Sequence, residues 1–190
     1  MSERYVAIAP WIVLGLVWAA AAPFANKTLR RESIASRLSY VAPLGIAAWL
    51  VYSAAASNAF PFLRERIFQG NLAAFWIGAA LDYAGIAFAI WARATLGKLW
   101  SGSITLKEGH HLVQSGPFAI TRHPIYTGIV VAALGMATMD GSVSGFISVL
   151  LVTGGFAFKL SKEETLLASQ FGDEHRDYRA RVSRLIPFVW

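Results

Sequence analysis

The polar stretch from His110 to Gly128, HHLVQSGPFAITRHPIYTG, carries the side chains best suited to chemistry in this 190-residue chain. It places a fixed cation, Arg122, and a titratable ring, His123, directly before Pro124. Proline is favoured at the first position of a helix, and the positive end of a helix attracts carboxylates and phosphates. The stretch therefore predicts a pocket for a charged ligand. Taken alone, Arg122 would be better explained as an anchor to lipid headgroups.

A second polar patch follows later, in the segment KLSKEE at residues 159–164. Helical spacing places Glu164 in the middle of an otherwise apolar stripe, which a solvated helix face would not require. Glu163 lies about 100° further round the helix and can pair with Lys159 one turn earlier. The stripe comprises Leu160, Glu164, Leu167 and Phe171. We predict that a helix stops at Phe171–Gly172 and that Asp173 caps a second helix ending near Val182.

The composition excludes several classes of site. Cysteine is absent, so thiolate ligands, disulfides and a cysteine nucleophile are excluded. His110, His111 and His123 could suggest zinc, but adjacent histidines rarely bind one ion, and we predict no metal. No GxSxG, P-loop or GxGxxG motif is present. The net charge of +6 comes without a basic run interleaved with aromatics, so we predict no nucleic-acid partner.

Long apolar segments lie on both sides of the polar stretch and predict an all-α integral membrane protein. A segment of about 20 apolar residues spans a hydrocarbon core of about 30 Å. The predicted spans are residues 5–25, 40–60, 72–92, 125–139 and 143–160, within a single domain of residues 1–190. The last two are short and form a helical hairpin around Asp140-Gly141-Ser142, and further cytoplasmic helices follow. A cleaved signal peptide is the alternative for the first segment.

Lysine and arginine are unevenly distributed between the two sides of these five spans. One side receives three of them and the other receives fourteen. The positive-inside rule then places the N-terminus outside and the C-terminus in the cytoplasm, where basic residues meet anionic membrane lipids. Both polar patches lie on the cytoplasmic side under this topology, so they can form one pocket.

Asp82 lies near the middle of the third predicted span. An ionisable group inside a membrane is a functional candidate by default. A carboxylate that faces other helices, hydrogen-bonded or protonated, explains it equally well. The sequence leaves both interpretations open.

Read together, the motifs resemble those of the isoprenylcysteine carboxyl methyltransferase family and of related membrane phospholipid methyltransferases. The similarity consists of HHLVQSGPFAITRHPIYTG, a membrane hairpin, EE, FGDEHRDY and RLIP, in that order. Phe118 and His175 stand where the pattern usually has tyrosine. Five spans are typical of the smaller, prokaryotic-like members of this family. We therefore expect the protein to lie in a prokaryotic cell membrane.

The resemblance implies a methyltransferase that uses S-adenosylmethionine, with cofactor regions at residues 110–128 and 159–187. The implied cofactor-binding residues are His111, Leu112, Val113, Gly116, Arg122, His123, Tyr126, Glu163 and Glu164. Arg122 suits the cofactor carboxylate, and either glutamate suits its ammonium or ribose hydroxyls. The candidate catalytic residues are Arg122 and Lys159, because a nearby cation can orient an anionic acceptor.

The favoured reaction is carboxyl O-methylation of an isoprenylcysteine-like lipophilic acid that enters from the bilayer. A carboxylate is already ionised at neutral pH and needs no general base, whereas an amine must first lose a proton. Phospholipid amine N-methylation is the nearest alternative. An NADPH-dependent enzyme similar to sterol reductases and a non-catalytic membrane scaffold are further alternatives. The oligomeric state does not follow from these patterns.

Overall fold

Five helices and one small strand pair make up the computed structural model, which describes residues 2–26, 28–31, 33–56, 60–69, 71–100, 105–107 and 111–186. The helices are α1 (Ser2–Ala21), α2 (Ile34–Ala56), α3 (Leu72–Leu96), α4 (Pro124–Asp140) and α5 (Val143–Arg181). The strands are β1 (Thr28–Arg31) and β2 (Thr105–Lys107). His110 and Pro187, which belong to the predicted cofactor regions, lie outside the described residues, as does Lys27, one of the fourteen basic residues counted on the cytoplasmic side.

The predicted all-α membrane architecture is confirmed. Glu3–Phe24, Leu72–Leu99 and Val143–Arg181 contain windows long and apolar enough to cross a membrane, and α4 is a shorter apolar helix. The 23 residues of α2 cover most of the second predicted span, 40–60, of which residues 57–59 are not described. The chain is therefore a multi-pass membrane protein. Helix α3 continues beyond the predicted end at residue 92, because Arg93 and Thr95 do not interrupt a helix.

The strand pair was not predicted from the sequence. Strands β1 and β2 are antiparallel, with Thr28 opposite Lys107 and Arg31 opposite Thr105. Each strand is only three or four residues long, which is too short for sequence periodicity to reveal it. The pair joins the segment after α1 to the segment after α3.

Helices α3 and α4 pack with their backbones in close approach. A Cβ added to Gly85 would lie 2.4 Å from the carbonyl oxygen of Gly128, and one added to Gly135 would lie 2.5 Å from that of Gly78. Glycine at these positions is thus a requirement of the packing, as in other membrane helix pairs. This contact fixes the start of α4 against the last turns of α3, where part of the site is built.

The predicted hairpin between α4 and α5 is confirmed. Gly141 adopts the left-handed conformation with φ of 71°, and the Ser142 hydroxyl accepts a hydrogen bond from the Gly145 backbone N–H. The left-handed conformation favours glycine, and serine is a preferred N-cap residue of a helix. The hairpin returns the chain as α5, which extends well past its apolar part.

Helix α5 has 39 residues and carries a kink at Gly172, where φ is 48° and ψ is −117°. The predicted interruption at Phe171–Gly172 thus coincides with the kink, but the helix resumes at once without a connector. The predicted span, residues 143–160, forms the first part of this helix, and the polar patch at residues 159–164 lies where that span ends. Among the helices, α1 packs against α3, α3 against α4, α4 against α5, and α5 against α2.

Candidate active site

The two polar patches of the sequence meet in the structure. The Nε and Nη2 atoms of Arg122 lie 2.8 and 2.7 Å from Oε1 of Glu164, and Nε2 of His123 lies 3.3 Å from the same oxygen. The side chains of Arg122 and Glu164 are each 9% exposed. A buried Arg–carboxylate pair with two short contacts fixes both groups in orientation as well as position.

Arg122 also binds the end of α5. Its Nη1 donates to the backbone carbonyl of Val182 and, at 3.4 Å, to that of Arg179. The guanidinium therefore connects the loop before α4, the middle of α5 and the residues that follow α5. Most of its hydrogen-bonding capacity is used inside the protein.

The segment after α5, residues 182–186, lies along the loop before α4 and is called the strap below. The backbone N–H groups of Arg122 and His123 donate to the carbonyls of Ser183 and Arg184, at 2.9 and 3.2 Å. The Thr127 hydroxyl donates to the Leu185 carbonyl at 2.6 Å. The strap was not predicted, because backbone pairing between residues some sixty positions apart leaves no local pattern in the sequence. It holds the loop that carries Arg122 and His123.

The carboxylate of Glu164 is the centre of this cluster. Burial alone would raise its pKa, but the hydrogen bonds and charges of His123 and Arg122 outweigh that effect and lower the pKa to about 2. Nε of Arg184 lies 3.6 Å from its second oxygen. Glu164 is therefore an ionised group that neutralises surrounding basic side chains.

Beside this cluster lies a cavity of about 240 Å³ at the start of α4. Its wall includes eight of the residues singled out in the sequence: His111, Leu112, Val113, Arg122, His123, Tyr126, Lys159 and Glu163. Gly116 and Glu164 are not part of the wall. The structure thus brings together residues from the loop, α4 and α5, and it places the two neighbouring glutamates in different surroundings.

Glu163 faces the cavity, whereas Glu164 faces the Arg122 cluster. Successive helical residues point about 100° apart, so adjacent glutamates necessarily present their side chains to different surroundings. The hydroxyl of Tyr126 donates to Oε2 of Glu163 at 3.3 Å. Glu163 thereby presents a carboxylate at the cavity wall.

Lys159 is a buried cation of the cavity wall, 6% exposed, one turn before Glu163. Its Nζ lies 4.9 Å from the ring centre of Tyr40 and 5.1 Å from that of Tyr126. Both distances are within the range of cation–π attraction, which stabilises a desolvated ammonium. Tyr40 comes from α2 and was not identified from the sequence, because nothing in its neighbourhood distinguishes it from other membrane-interface tyrosines.

Gly116 does not line the cavity itself but begins the turn that carries the lining residue Phe118. It has φ of 60° and begins the 3₁₀ turn Gly116–Ala119, which brings the Phe118 ring to the cavity. A residue with a side chain would be strained at this φ. The carbonyl of Phe118 accepts a hydrogen bond from the Tyr178 hydroxyl at 2.6 Å, which fixes the turn to α5.

His175 and Tyr178 also line the cavity, although the sequence did not indicate a role for either residue. Both are almost fully buried, at 1% and 3% exposed. Burial lowers the pKa of His175; the charge of Glu164 opposes the change, and that of Arg179 adds to it. The apolar stripe through Glu164, continued past the kink by steps of four and three from Phe171, would have identified both residues.

Asp82 does not belong to this site. It is fully buried in α3 at the contact with α4, where its backbone lies against Gly135. Its carboxylate interacts with the indole N–H of Trp11 on α1. In the described part of the chain, no group of three or more His, Asp and Glu side chains is arranged to hold a metal ion.

Comparisons with known proteins agree with the resemblance. The family model for isoprenylcysteine carboxyl methyltransferases matches residues 79–169. Protein-S-isoprenylcysteine O-methyltransferase of Schizosaccharomyces pombe is 37% identical over 101 residues, 52% of this chain and 43% of the relative. Protein-S-isoprenylcysteine O-methyltransferase B of Arabidopsis thaliana is 28% identical over 135 residues, 67% of this chain and 68% of the relative. The Rattus norvegicus protein-S-isoprenylcysteine O-methyltransferase is 31% identical over 147 residues, 72% of this chain and 50% of the relative.

In two of these three pairs the chain spans half or less of the relative's length. The matched residues contain α4, most of α3, the first part of α5 and nearly all of the cavity wall. The predicted resemblance to the isoprenylcysteine carboxyl methyltransferase family is therefore confirmed, and residues 79–169 are the part of the chain that matches the family model.

Proposed function

We propose that this protein is an integral membrane methyltransferase that uses S-adenosylmethionine to esterify the carboxylate of an isoprenylcysteine-like lipophilic acid. The cavity carries the proposal, because it combines the Lys159 ammonium and the Glu163 carboxylate with a wall of apolar side chains. A charged cofactor and a lipid acid both combine polar and apolar parts, and such mixed pockets bind them. The names of the three relatives support this class of reaction.

The side chains of the cavity fit S-adenosylmethionine. Glu163 can accept hydrogen bonds from an ammonium or from ribose hydroxyls, and the Tyr126 ring can face a sulfonium. The backbone of Leu112 and Val113, in a segment without helix or strand, can contact adenine. The proposed cofactor site comprises His111, Leu112, Val113, Gly116, Arg122, His123, Tyr126, Glu163 and Glu164. Gly116 and Glu164 act there by positioning their neighbours.

Arg122 lies on the cavity wall, where it can attract the cofactor carboxylate. Glu164 balances much of its charge, so we propose that its main task is to hold His123 and the strap in place. The cofactor supplies a methyl group on a positively charged sulfur, which is activated for displacement. The chain's residues must then align the acceptor and exclude water.

Lys159 is the proposed partner of the acceptor carboxylate. Its buried ammonium can pair with an anion at the cavity wall and hold one carboxylate oxygen in line with the methyl group. The reaction forms a C–O bond and breaks a C–S bond. It releases no proton, so no side chain is needed as a general base.

The phospholipid amine alternative fits the cavity less well. An amine acceptor is a cation at neutral pH, and a buried ammonium such as Lys159 disfavours it by repulsion. The reaction would also need a base to remove a proton. His175, whose pKa burial lowers, is a neutral ring on the cavity wall that could serve in that role, so we retain this alternative for the test.

Purified protein in lipid nanodiscs provides the test. We expect S-adenosylhomocysteine to bind in calorimetry, and we expect NADPH not to displace it. Radiolabelled methyl transfer to N-acetyl-S-farnesyl-cysteine should exceed transfer to phosphatidylethanolamine by at least a hundredfold. Preferential labelling of phosphatidylethanolamine would establish the amine reaction instead, and displacement by NADPH would support a reductase.

We also propose a single domain whose N-terminus is outside and whose C-terminus is cytoplasmic, on the basis of the distribution of basic residues. Because the chain has no cysteine, single cysteines report topology directly. Glu65→Cys and Gln170→Cys both alter exposed positions. A membrane-impermeant maleimide added to intact cells should label the first variant only, and labelling of the second alone would reverse the topology.

A further inference from the structure

One part of the cavity wall is entirely apolar. The described residues that α1, the end of α3 and the turn after it contribute are Trp18, Leu96, Leu99 and Trp100. The charged residues of the wall come instead from the loop before α4 and from α5. The charged and the apolar surfaces are therefore built by different elements of the fold.

Two tryptophans meet within the apolar part of the wall. The rings of Trp18 and Trp100 have centres 5.8 Å apart and planes at 87°, an edge-to-face arrangement. This geometry is the favoured one for aromatic pairs. Trp18 is also the residue through which α1 takes part in the cavity, among the described lining residues.

Arg93 holds this pair in place. Its guanidinium carbon lies 4.6 Å from the ring centre of Trp100. Its Nη1 donates to the carbonyl of Gly97 at 2.7 Å, and its Nη2 donates to that of Ala21 at 3.3 Å. Arg93 is 3% exposed and forms no ion pair with a carboxylate in the described part of the chain. Its charge is thus directed at carbonyl groups and an indole ring, and it ties the end of α1 to the end of α3.

We infer that Trp18 and Trp100 are specificity-determining residues, which close the apolar part of the cavity and limit the length of the lipid chain that an acceptor can carry. This inference rests on the proposed function, in which Lys159 fixes the carboxylate of the same acceptor. With one end of the acceptor held at a fixed cation, the apolar wall contributed by α1, the end of α3 and the turn after it determines how many isoprene units fit. The two indole rings form a rigid wall, because they are held in place by Arg93, are bulky and have few rotatable bonds.

Enlarging the cavity at this wall should change the preference of the enzyme for the length of the acceptor's lipid chain. An indole is larger than an isoprene unit, so Trp18→Ala and Trp100→Ala each create room for a longer chain. We expect the ratio of kcat/KM for the S-geranylgeranyl acid to that for the S-farnesyl acid to rise about tenfold in each variant. Trp76→Ala is the matched control, because Trp76 lies on α3 but is 57% exposed. A ratio that stays within twofold of the wild-type value in both variants overturns the inference.

A filling variant tests the same wall in the opposite direction. Leu99→Trp adds volume to the apolar surface, and we expect the same ratio to fall about tenfold. This variant keeps the inference testable if an alanine variant fails to fold. Unchanged affinity for S-adenosylhomocysteine identifies the variants that are folded, and an unaltered ratio in a folded Leu99→Trp protein also overturns the inference.

Binding separates this inference from the proposed function. Saturable binding of tritiated S-farnesyl- and S-geranylgeranyl-thiopropionic acid can be measured in detergent micelles without any methyl transfer. If the wild-type protein binds neither acid, the proposed acceptor class is wrong. If it binds both and the tryptophan variants do not change their relative affinity, the acceptor class stands and the wall does not select chain length.

Discussion

Glu163 and Glu164 are neighbours in the sequence but occupy different environments. Glu164 contacts Arg122 and His123 and is 9% exposed, whereas Glu163 lines the cavity and contacts the Tyr126 hydroxyl. A pair of acidic residues on a helix can therefore hold a structure together with one member and bind a ligand with the other. We therefore propose that Glu164 contributes to stability and Glu163 to ligand affinity, and variants of each can separate these effects.

Glu164→Gln should have the largest effect. It removes the negative charge that compensates Arg122 while keeping the shape of the side chain. Breaking a buried ion pair by removing one partner leaves an uncompensated charge, and we expect the free energy of unfolding to fall by about 3 kcal/mol. Titration with SDS in mixed micelles measures this change.

Glu163→Gln is the control for that measurement, because it makes the same chemical change one residue away. We expect it to alter the free energy of unfolding by less than about 1 kcal/mol. Equal destabilisation by the two variants would contradict the division of roles. It would mean that the cavity-facing carboxylate also holds the helices together.

Lys159→Met should separate catalysis from cofactor binding on the cavity side of the comparison. Without the buried cation, an acceptor carboxylate loses its partner, and we expect kcat/KM for the farnesyl-cysteine acid to fall about a hundredfold, or about 2.7 kcal/mol. Affinity for S-adenosylhomocysteine should change less than threefold. Steady-state rates and calorimetry on the same preparation give both values.

Lys162→Met is the matched control for Lys159→Met, since Lys162 also lies on α5 but donates to the hydroxyls of Ser36 and Ser39. Its activity should stay within threefold of wild type. If Lys159→Met instead reduces cofactor affinity as much as it reduces kcat/KM, Lys159 belongs to the cofactor site. The acceptor would then need another cation.

Local features of the site were predictable because neighbouring residues determine them. Pro124 at the first position of α4 and Gly141 in the hairpin turn each follow from their own backbone preferences. The apolar stretches gave the helices for a similar reason, since length and hydropathy alone decide whether a segment can cross a bilayer. Boundaries were less accurate, because α3 and α5 continue past their apolar parts.

Features that depend on distant partners were not predictable in this way. The strap pairs with the loop before α4 through backbone groups, which are the same in every sequence. Tyr40 stacks on Lys159 only because α2 packs against α5. Likewise, the pair EE does not show which glutamate faces the cavity, since that depends on the rotation of α5 against its neighbours.

Glu163→Gln should have the third-largest effect, which is on ligand affinity. The amide retains hydrogen bonding to hydroxyls but no longer attracts an ammonium, so we expect affinity for S-adenosylhomocysteine to fall about tenfold, or 1.4 kcal/mol. Calorimetry in nanodiscs measures it. An affinity equal to wild type would remove Glu163 from the proposed cofactor site while leaving the role of Glu164 intact.

Acid tests the contribution of Glu164 to stability by a second route. The pKa of Glu164 is lowered to about 2 in the folded protein, from an ordinary value of 4.5. A group with a depressed pKa stabilises the fold above its unfolded pKa, and this contribution is lost as the pH falls through the folded value. The stability difference between wild type and Glu164→Gln should therefore be constant above about pH 5 and shrink steadily between pH 4.5 and 2. SDS titrations at pH 7, 4 and 3 follow this difference, in which the contributions of groups unaffected by the substitution cancel. A difference that stays constant down to pH 3 would show that the charge of Glu164 does not stabilise the Arg122 cluster.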